Sequence, residues 1–509
     1  MGALRRLVPL SIACLLSTAL AACSGGGGSI AITGTAGSTA STGNTGGAGQ
    51  SATGSPTTFT IGGTVTGLSG TLGLLDNGSD SLSLSQPGTF TFAAPVASGS
   101  PYAVTVASQP SAQYCGISGG SGTAAADVTS VMVGCDPDVL QVLYAFGAAS
   151  TDGQAPQSEL VRGVGSNSDL YYGVTAKGGA YGKGAVFEIT PAGAETILYS
   201  FKGMSSGDGS SPYNAPTPVG SDLYGVTETG GTLDGGTIYE LNSLGVETVL
   251  HSFKASTDGA WPLSSLLAVS SSSGTTFYGT TSTAGSYGYG TLFSFTTSGI
   301  FTTLHSFGSS RAPSLHDPSF HLLLASNGNI YGVTTSGGTD TSAGGVFAYD
   351  PSTNTYAVVH EFTGRSNGGA EPSSGLMQAS DGDLYGVTTS GGMNSGGIVY
   401  RLNLDSTPPS YQAIYSFPGG NVGAAPFSTP YQASDGNLYV MTYSQGAYGR
   451  GTIVSISTSG VLQKVLHAFG GTSGLSAPGS GLLAGASGTL FGLASSGGPY
   501  SQGAIFKLY

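Results

Sequence analysis

The sequence predicts an all-β fold in which a small β-sandwich domain precedes a seven-bladed β-propeller. First, Gly supplies 88 of the 509 residues, a content typical of many short strands joined by tight turns. Second, a Leu-Tyr-Gly-Val-Thr marker or a close variant recurs seven times at spacings of 52 to 54 residues, which indicates tandem copies of one supersecondary unit. Third, only 8% of the residues are charged, whereas coiled coils and long helices are rich in Glu, Lys and Arg.

Residues 1–22 are predicted to be an export signal. Two arginines precede an apolar stretch at 7–20 that is too short for a stable membrane span. The stretch ends in Leu-Ala-Ala-Cys at 20–23, which resembles the bacterial lipobox. The resemblance implies cleavage before Cys23, lipidation of its sulfur and attachment to the membrane through that lipid, and Ser24 favours the outer membrane of a bacterial cell envelope. An ordinary signal peptide followed by a chance Cys is the alternative.

A flexible linker is predicted for residues 23–57, because the stretch after Cys23 is almost entirely Gly, Ser, Thr and Ala. Such a chain has a root-mean-square reach of roughly 30 Å, so it holds the folded part clear of the membrane surface. Acidic residues outnumber basic ones 26 to 13, which argues against a nucleic-acid partner. No later apolar run approaches the ~18 residues that a membrane helix needs, so the lipid is the membrane attachment that we expect.

The small β-sandwich is predicted at residues 58–136. Alternating apolar and polar residues indicate strands at 58–65, 88–92 and 102–107. An Asn-Gly pair at 77–78 is a turn signal between strands.

One disulfide is predicted in this domain, between Cys115 and Cys135. Cys14 leaves with the export signal and Cys23 carries the lipid, so these two are the cysteines that remain. An exported pair is expected to oxidise. Closing a loop of about twenty residues stabilises the domain by ~3 kcal/mol on the chain-entropy model.

The repeating unit is clearest in its fourth copy. Segments separated by Gly, Asn and Asp turns predict four short antiparallel strands there, at 322–325, 329–335, 345–349 and 356–362. One such sheet cannot bury both of its faces alone, so the copies are expected to stack as propeller blades. Copy six departs from the pattern with Val440 in place of the marker Gly, and copy two has Pro216 and Pro218 where its first strand should be. The marker aromatics are Tyr172, Tyr224, Tyr278, Tyr331, Tyr385, Tyr439 and Phe491.

The propeller is predicted to span 137–509 and to close on itself. The last copy has segments for only three strands, and the missing one would resemble the Leu-Tyr-Ser-Phe of 198–201. A matching Leu-Tyr-Ala-Phe occurs upstream of the first copy, at 143–146. A strand at 139–147 is therefore expected to complete the seventh blade and to remove the unpaired edges of an open array. An open solenoid with polar capping repeats is the alternative.

The copies resemble the Gloeo/Verruco-type tandem repeats of bacterial choice-of-anchor proteins. The resemblance rests on Leu-Tyr-Gly-Val-Thr-Thr-Ser-Gly-Gly at 384–392 and on strands that end in Tyr-Ser-Phe or His-Ser-Phe, and it covers roughly 139–509. It implies a variable cell-surface anchor, here the lipobox, and no established activity. Copy four also resembles a kelch blade at 346–351, without the usual Trp.

Four of the six histidines occupy one position of the repeat, two residues before the strand-end Phe: His251, His305, His360 and His467. Tyr occupies this position in three other copies, at Tyr144, Tyr199 and Tyr415. Equivalent positions of different blades lie far apart, whereas metal ligands must converge on one centre. We therefore expect a half-buried structural position, and neither a metal nor a cofactor. His316 and His321 could form a weak site with Asp317, but a solvated loop is the favoured interpretation.

Exposed aromatic residues are the candidate ligand-binding residues. The position nine residues after the marker carries Tyr181, Tyr287, Tyr448 and Tyr500, and Trp261, the only Trp, lies in a connection between blades. Strand alternation places both kinds of loop on one face, and aromatic faces suit sugar rings. The alternative is that each Tyr packs over its local Gly turns, because exposed aromatics form a site only where they cluster.

These observations favour a monomeric, non-enzymatic surface protein that is anchored by a lipid and binds an extracellular glycan or protein. An envelope enzyme acting on polysaccharide is the first alternative, and converging Asp, Glu or His side chains in a central channel would favour it. A purely structural surface module is the second alternative.

Overall fold

Strands make up most of the described chain in the computed structural model. The structure describes residues 57–508 apart from 109, 111–113, 137–139, 273, 309–313, 340–342, 365–367, 472, 480 and 486–487. The chain divides into the units Met1–Ser55 and Pro56–Tyr509; the predicted export signal and Cys23 lie outside the described residues. Within the described part, the helices are three short 3₁₀ turns, Gly165–Asn167, Met204–Ser206 and Gly420–Val422. None of these described helices has the length and apolar character to cross a membrane.

The amino-terminal part of the described chain forms two four-stranded sheets. The first sheet has the order Gly88–Thr91, Ile61–Thr66, Val128–Asp136 and Tyr114–Ser118. The second has the order Asp80–Leu84, Leu72–Asp76, Pro101–Ser108 and Ser121–Thr123, and a short pair joins Thr58–Phe59 to Val96–Ala97. Both sheets contribute to one core cluster, in which Ile61 and Val131 of the first meet Leu74 and Val104 of the second. Each sheet therefore buries one face against the other.

A disulfide joins Cys115 to Cys135 within the first sheet. The two residues are direct partners on adjacent antiparallel strands, and both are buried. The disulfide predicted from the cysteine count is therefore present, and it cross-links Tyr114–Ser118 to Val128–Asp136.

The remaining described chain forms seven sheets of four or five strands, one for each copy, and two short two-stranded sheets. In copies one to six, the four strands of the repeat pair in sequence order. Copies one to three contain Val161–Arg162, Tyr171–Thr175, Ala185–Ile189 and Glu195–Ser200; Thr217–Val219, Asp222–Thr227, Thr237–Leu241 and Glu247–Ser252; and Leu267–Ser271, Gly274–Thr281, Thr291–Thr296 and Phe301–Ser306. Copies four to six contain Leu323–Leu324, Ile330–Gly337, Gly345–Asp350 and Thr355–Glu361; Met377–Gln378, Leu384–Ser390, Ile398–Asn403 and Ser410–Ser416; and Tyr431–Gln432, Leu438–Ser444, Thr452–Ile456 and Leu462–Ala468.

Two kinds of loop recur in these copies. We call the loop between the second and third strands of a copy its 2–3 loop, and the segment that enters a copy before its first strand a connection. Most connections contain a short strand that was not predicted and that pairs with the copy it enters: Gly153–Gln154, Gly209–Ser210, Leu315–Pro318, Ala370–Pro372, Ala424–Pro426 and Leu475–Pro478. In copies one and two the partners are Lys177–Gly178 and Thr229–Gly230.

Copy seven is assembled from two distant parts of the chain. Its first three strands are Leu483–Ala484, Leu490–Gly497 and Ala504–Leu508. Its fourth strand is Leu140–Ala145, which precedes copy one and pairs antiparallel with Ala504–Leu508. This is the segment expected to supply the missing strand, and it joins the two ends of the repeat region in one sheet.

Seven apolar clusters of the repeat region each join two copies, and six of them join copies that are successive in the chain. One cluster combines Val174 of copy one with Leu223 of copy two, and the next five continue in order to copy seven. The remaining cluster combines Tyr171 of copy one with Leu493 of copy seven. Each sheet of the array therefore buries both faces, which no copy could do alone.

The marker glycine lies beneath an aromatic ring of the third strand. In copy five, Gly386 is paired with Tyr400, and a Cβ on Gly386 would lie only 2.4 Å from the Tyr400 hydroxyl oxygen. Equivalent pairs are Gly173 with Phe187, Gly225 with Tyr239, Gly279 with Phe293, Gly332 with Phe347 and Gly492 with Phe506. In copy six, Val440 instead pairs with Val454. The smaller partner leaves room for the Val440 side chain, so the departure seen in the sequence is compensated on the neighbouring strand.

The prolines of copy two do not prevent its first strand. Thr217–Val219 pairs with Asp222–Thr227, and Pro218 lies opposite Leu223. This strand is at the edge of its sheet, a place where the missing N–H of Pro is tolerated.

Candidate functional site

The connections and the 2–3 loops meet on one surface, which we call the loop face. In the connection into copy three, the Trp261 N–H donates to the carbonyl of Gly235 in the copy-two 2–3 loop, at 3.0 Å. In the next connection, the Asp317 N–H donates to the carbonyl of Tyr289 in the copy-three 2–3 loop, at 3.1 Å. These connections are therefore held against the 2–3 loop of the preceding copy.

The predicted binding aromatics are 45 to 57% exposed: Tyr181, Trp261, Tyr287, Tyr448 and Tyr500. One of them, Tyr448, lies against a local glycine, because a Cβ on Gly471 would be 2.7 Å from the Tyr448 ring. The structure therefore favours local packing at Tyr448. Trp261 and Tyr287, in contrast, lie on two loops of the same copy.

Trp261 lies against one hairpin of the loop face, the copy-three 2–3 loop, and Tyr287 lies within that loop. Ser282 begins this hairpin and donates its N–H and its hydroxyl to the Trp261 carbonyl, at 3.0 and 3.2 Å. The hairpin returns through a bridge between Ala284 and Tyr289. Tyr289 is 43% exposed, so it adds a third exposed aromatic side chain to this loop region.

Tyr289 extends the group to the connection into copy four. Its ring stacks on His316, with centroids 4.0 Å apart and planes 9° apart. Burial lowers the pKa of His316, which favours the neutral ring at neutral pH. The carboxyl group of Asp317 accepts a hydrogen bond from the Ser336 hydroxyl, and burial raises the pKa of Asp317. We call this group the copy-three patch: Trp261, Tyr287, Tyr289, His316 and Asp317.

Only part of the copy-three patch could be found from the sequence. Tyr287 follows the repeat period and Trp261 is the only Trp, but Tyr289 falls outside the period. The available signal was the Tyr-Gly-Tyr at 287–289. The place of His316 depends on how a connection folds against a hairpin, which the spacing does not reveal.

A second cluster involves the residue three positions after the Pro of each connection. In chain order this residue is Glu159, Ala215, Ser265, His321, Gly375, Thr429 and Gly481. The two long ionisable side chains meet: Glu159 Oε1 lies 3.7 Å from His321 Nδ1, although copies one and four supply them. A Cβ on Gly375 would overlap the His321 ring, and a Cβ on Gly481 would lie 2.6 Å from Glu159 Oε2. The two glycines therefore leave the space that the pair occupies, and we call Glu159 and His321 the cross-copy pair.

The weak site considered for His316, His321 and Asp317 is not assembled. His316 stacks on Tyr289, whereas His321 faces Glu159. Within the described ranges, no group of three or more His, Cys, Asp or Glu side chains is arranged to hold a metal ion.

The repeated Tyr or His position is half-buried at the end of the fourth strand, and buried at His467. At three histidines of this position, His251, His305 and His360, the ring stacks on the fourth strand of the next copy. His305 stacks on Tyr356 at 3.7 Å, and His360 stacks on Tyr411 at 3.8 Å. These contacts join neighbouring copies and provide a structural role for the repeated histidine.

Tyr199 makes a different contact at this position, because it lies between two carboxyl groups. Its hydroxyl oxygen is 2.9 Å from Asp208 Oδ2 and 3.3 Å from Glu247 Oε2. The hydroxyl has one proton, so hydrogen bonds to both groups require a second proton on a carboxyl. Burial and the charge of Asp208 raise the pKa of Glu247 to about 7, which makes Glu247 the group that carries it. Burial and Asp152 raise the pKa of Glu195 to about 7 in the same way.

Several solved structures resemble this chain at low identity. TolB from Acinetobacter baumannii is 12% identical with a TM-score of 0.34, over 62% of this chain and 63% of TolB. A putative 6-phosphogluconolactonase from Bacteroides uniformis is 14% identical with a TM-score of 0.41, over 62% and 85%. A puromycin-hydrolyzing peptidase from Mycobacterium tuberculosis is 14% identical with a TM-score of 0.43, over 72% and 54%. The chain thus spans less than two thirds of the TolB and peptidase structures, and these likenesses carry no argument about activity.

A family match covers most of the sequence. No curated protein matches the chain. The Gloeobacter/Verrucomicrobia repeat matches residues 88–275, 268–430 and 372–509. The matches include all seven copies and begin inside the first domain, upstream of the boundary near 139 that the resemblance indicated. The chain belongs to the Gloeobacter/Verrucomicrobia repeat family.

Proposed function

We propose that this protein is a lipid-anchored component of the bacterial cell envelope that binds an extracellular glycan or surface protein through its loop face, without catalysis. The copy-three patch carries the proposal. Three exposed aromatic side chains and one carboxyl group lie on adjoining loops that backbone hydrogen bonds hold together. Aromatic side chains offer a large apolar surface, and an exposed cluster of them is typical of a binding site.

The test is a binding screen of the full chain against immobilised polysaccharides and envelope extracts. A Trp261→Ala, Tyr287→Ala, Tyr289→Ala variant removes the rings of the patch. A Tyr181→Ala, Tyr448→Ala, Tyr500→Ala variant removes three rings elsewhere and is the matched control. We expect binding to be lost in the first variant and kept in the second, with equal melting temperatures. Equal loss in both variants would place recognition elsewhere, and no binding by the wild type would favour a structural module.

The proposal includes a closed, kelch-like propeller of seven blades. Two observations support it: Leu140–Ala145 supplies the fourth strand of copy seven, and an apolar cluster joins copy seven to copy one. Deleting residues 139–147 should lower the melting temperature strongly, because it leaves Ala504–Leu508 at an unpaired edge and removes the fully buried Phe146. An unchanged melting curve would contradict closure.

The proposed anchor is the lipid on Cys23, in line with the choice-of-anchor resemblance. A Cys23→Ala variant tests this directly. We expect the wild type in the outer-membrane fraction and the variant in the soluble fraction of the same cells. Retention of the variant in the membrane would exclude Cys23 as the anchor.

A second candidate function is that of an envelope polysaccharide hydrolase or lyase with its site in a central channel. The cross-copy pair favours it, because a carboxylate beside an imidazole can orient a general base. The His321 and Glu159 side chains are 22% and 27% exposed, so a substrate could reach them. Release of new sugar ends by the wild type and not by His321→Ala would support this candidate.

A further inference from the structure

One residue of every connection has a left-handed backbone conformation although it is not Gly. Its φ lies between 52° and 60° at Ala155, Ser211, Trp261, Asp317, Glu371, Ala425 and Ala477. A Pro follows each of them. Among the described residues five donate their N–H to the 2–3 loop of the preceding copy, and Ala155 donates its N–H to the 2–3 loop of copy seven. Residues other than Gly rarely adopt this conformation. The fold therefore imposes it at this position, whatever the side chain.

The side chains at this constant backbone position differ in chemistry. Four of them are small: Ala155, Ser211, Ala425 and Ala477. The connections into copies three, four and five instead carry Trp261, Asp317 and Glu371. A fixed backbone with a variable side chain presents different chemical groups at equivalent places. We call Trp261, Asp317 and Glu371 the display triplet.

Hydrogen bonds place the three residues in succession on the loop face. The copy-three 2–3 loop donates to the Trp261 carbonyl through Ser282 and accepts the Asp317 N–H. The copy-four 2–3 loop accepts the Glu371 N–H at the Ala343 carbonyl, at 2.9 Å. The three groups therefore lie on three successive connections of the loop face, and small residues occupy the equivalent places of the other copies.

Packing does not account for the display triplet. Trp261 is 45% exposed, Glu371 is exposed and Asp317 is half-buried. Hydroxyl groups orient both carboxylates: Ser336 donates to Asp317, and the hydroxyl oxygens of Thr389 and Ser390 each lie 3.4 Å from Glu371 Oε2. The triplet thus offers an apolar ring face together with oriented hydrogen-bond acceptors.

These groups define the chemistry of a suitable ligand. An exposed indole ring can stack on the apolar face of a sugar, and carboxylates accept hydrogen bonds from hydroxyl or ammonium groups. The same carboxylates, on a chain with a formal net charge of −13, repel a ligand that carries acid groups.

We propose that the display triplet recognises a non-acidic glycan, a sugar chain with hydroxyl or amino groups and without carboxylate, sulfate or phosphate. This inference rests on the proposed binding function of the loop face and names the ligand class of that surface.

The experiment compares the affinity of the full chain for a soluble neutral β-glucan, chitosan oligosaccharides and alginate. The variants are Trp261→Ala, Asp317→Asn and Glu371→Gln, and Ser211→Ala is the control at the same backbone position. We expect the wild type to bind the glucan or the chitosan oligosaccharides and not alginate. Trp261→Ala should weaken binding about tenfold, the equivalent of one lost stacking contact. The two carboxamide variants should weaken chitosan binding most at low salt, and the control should match the wild type.

The possible results separate this inference from the proposed function. Preference for alginate, or wild-type affinity in all three variants, would overturn the ligand class and leave a binding function in place. Binding to envelope extracts but to none of the three probes would also overturn it. Failure to bind probes and extracts alike would overturn the proposed function as well.

Discussion

Copies five and six fill the same buried space with different pairs of residues, one small with one large in copy five and two of medium size in copy six. Copy five places Gly386 beneath the ring of Tyr400, whereas copy six places Val440 opposite Val454. The side chains of Tyr400, Val440 and Val454 are all fully buried. Because protein interiors are close-packed, the volume of the two residues together is constrained more tightly than either residue alone. The difference between the two copies shows that the residue at the marker position must be considered together with its partner on the third strand.

The strongest way to break the copy-five pair is Gly386→Val. The new side chain would overlap Tyr400, whose ring is held against Phe362 at a centroid distance of 5.1 Å. We expect the free energy of unfolding to fall by about 3 kcal/mol, the upper part of the range for overpacked cores. Urea denaturation of the purified chain measures it. An unchanged midpoint would show that the ring can move aside freely.

The second variant tests the pair itself. Tyr400→Val alone should cost about 3 kcal/mol, because it leaves a cavity above Gly386. Gly386→Val together with Tyr400→Val recreates the pair of copy six and should recover all but ~1 kcal/mol of the loss. The coupling free energy follows from a double-mutant cycle. Additive losses in the double variant would argue against a cross-strand pair.

A smaller effect concerns the hydroxyl groups of the buried tyrosines. Tyr239 and Tyr400 are fully buried, and among the described residues their hydroxyl oxygens have no hydrogen-bond partner. Phe occupies the equivalent position in copies one, three, four and seven. Tyr400→Phe should therefore raise the free energy of unfolding by about 1 kcal/mol, since it removes an unsatisfied polar group. A loss of stability in thermal or urea unfolding would indicate a partner for the hydroxyl.

The smallest expected effect is a change of stability with pH, and it concerns Glu195 and Glu247 on the fourth strands of copies one and two. In the folded protein the pKa of Glu195 and Glu247 is raised to about 7 by burial and by nearby Asp152 and Asp208, against an ordinary value near 4.3. Their contribution to stability is therefore complete below the ordinary pKa and is lost as pH rises to about 7. The shift of the melting temperature should be small, because both groups are partly solvated.

To test the contribution of the two glutamates, the melting temperature is measured from pH 5 to pH 8 in the wild type and in a Glu195→Gln, Glu247→Gln variant. The change in melting temperature from pH 5 to pH 8 should be more positive in the variant, because the variant lacks the stability that the two glutamates lose as pH rises. Burial lowers the pKa of His305 and His360 to about 4, so these residues act in the opposite direction and reduce stability as pH falls below about 6.5. Parallel profiles for wild type and variant would show that the two glutamates are ionised throughout.

The repeats were predictable because periodic features survive in a linear sequence. The marker aromatics recur at a regular interval, and the second and third strands of copy four lie within two residues of their predicted bounds at Ile330–Gly337 and Gly345–Asp350. The connection strand Leu315–Pro318 was missed, because it carries no alternating pattern. The partner of Val440 was also missed, since strand register must be known before Val454 can be assigned to it.

The candidate sites were less predictable, because their contacts cross between copies. Trp261 and Tyr287 could be named from rarity and period, whereas the stack of Tyr289 on His316 arises from a connection folded against a hairpin. The meeting of Glu159 and His321 depends on the space left by Gly375. The spacing of residues along the chain does not show which glycine of another copy leaves this space.

The strand pairing in copy seven imposes an order on the biogenesis of the protein. Leu140–Ala145 is synthesised before the other strands of the repeat region, but its partner Ala504–Leu508 follows copies one to six. The sheet they share cannot form until those copies have been synthesised. Pairing over such a distance along the chain is slow, and open strand edges invite wrong partners in the meantime. Assembly of the last sheet is therefore a late step, completed only after the whole repeat region has been synthesised.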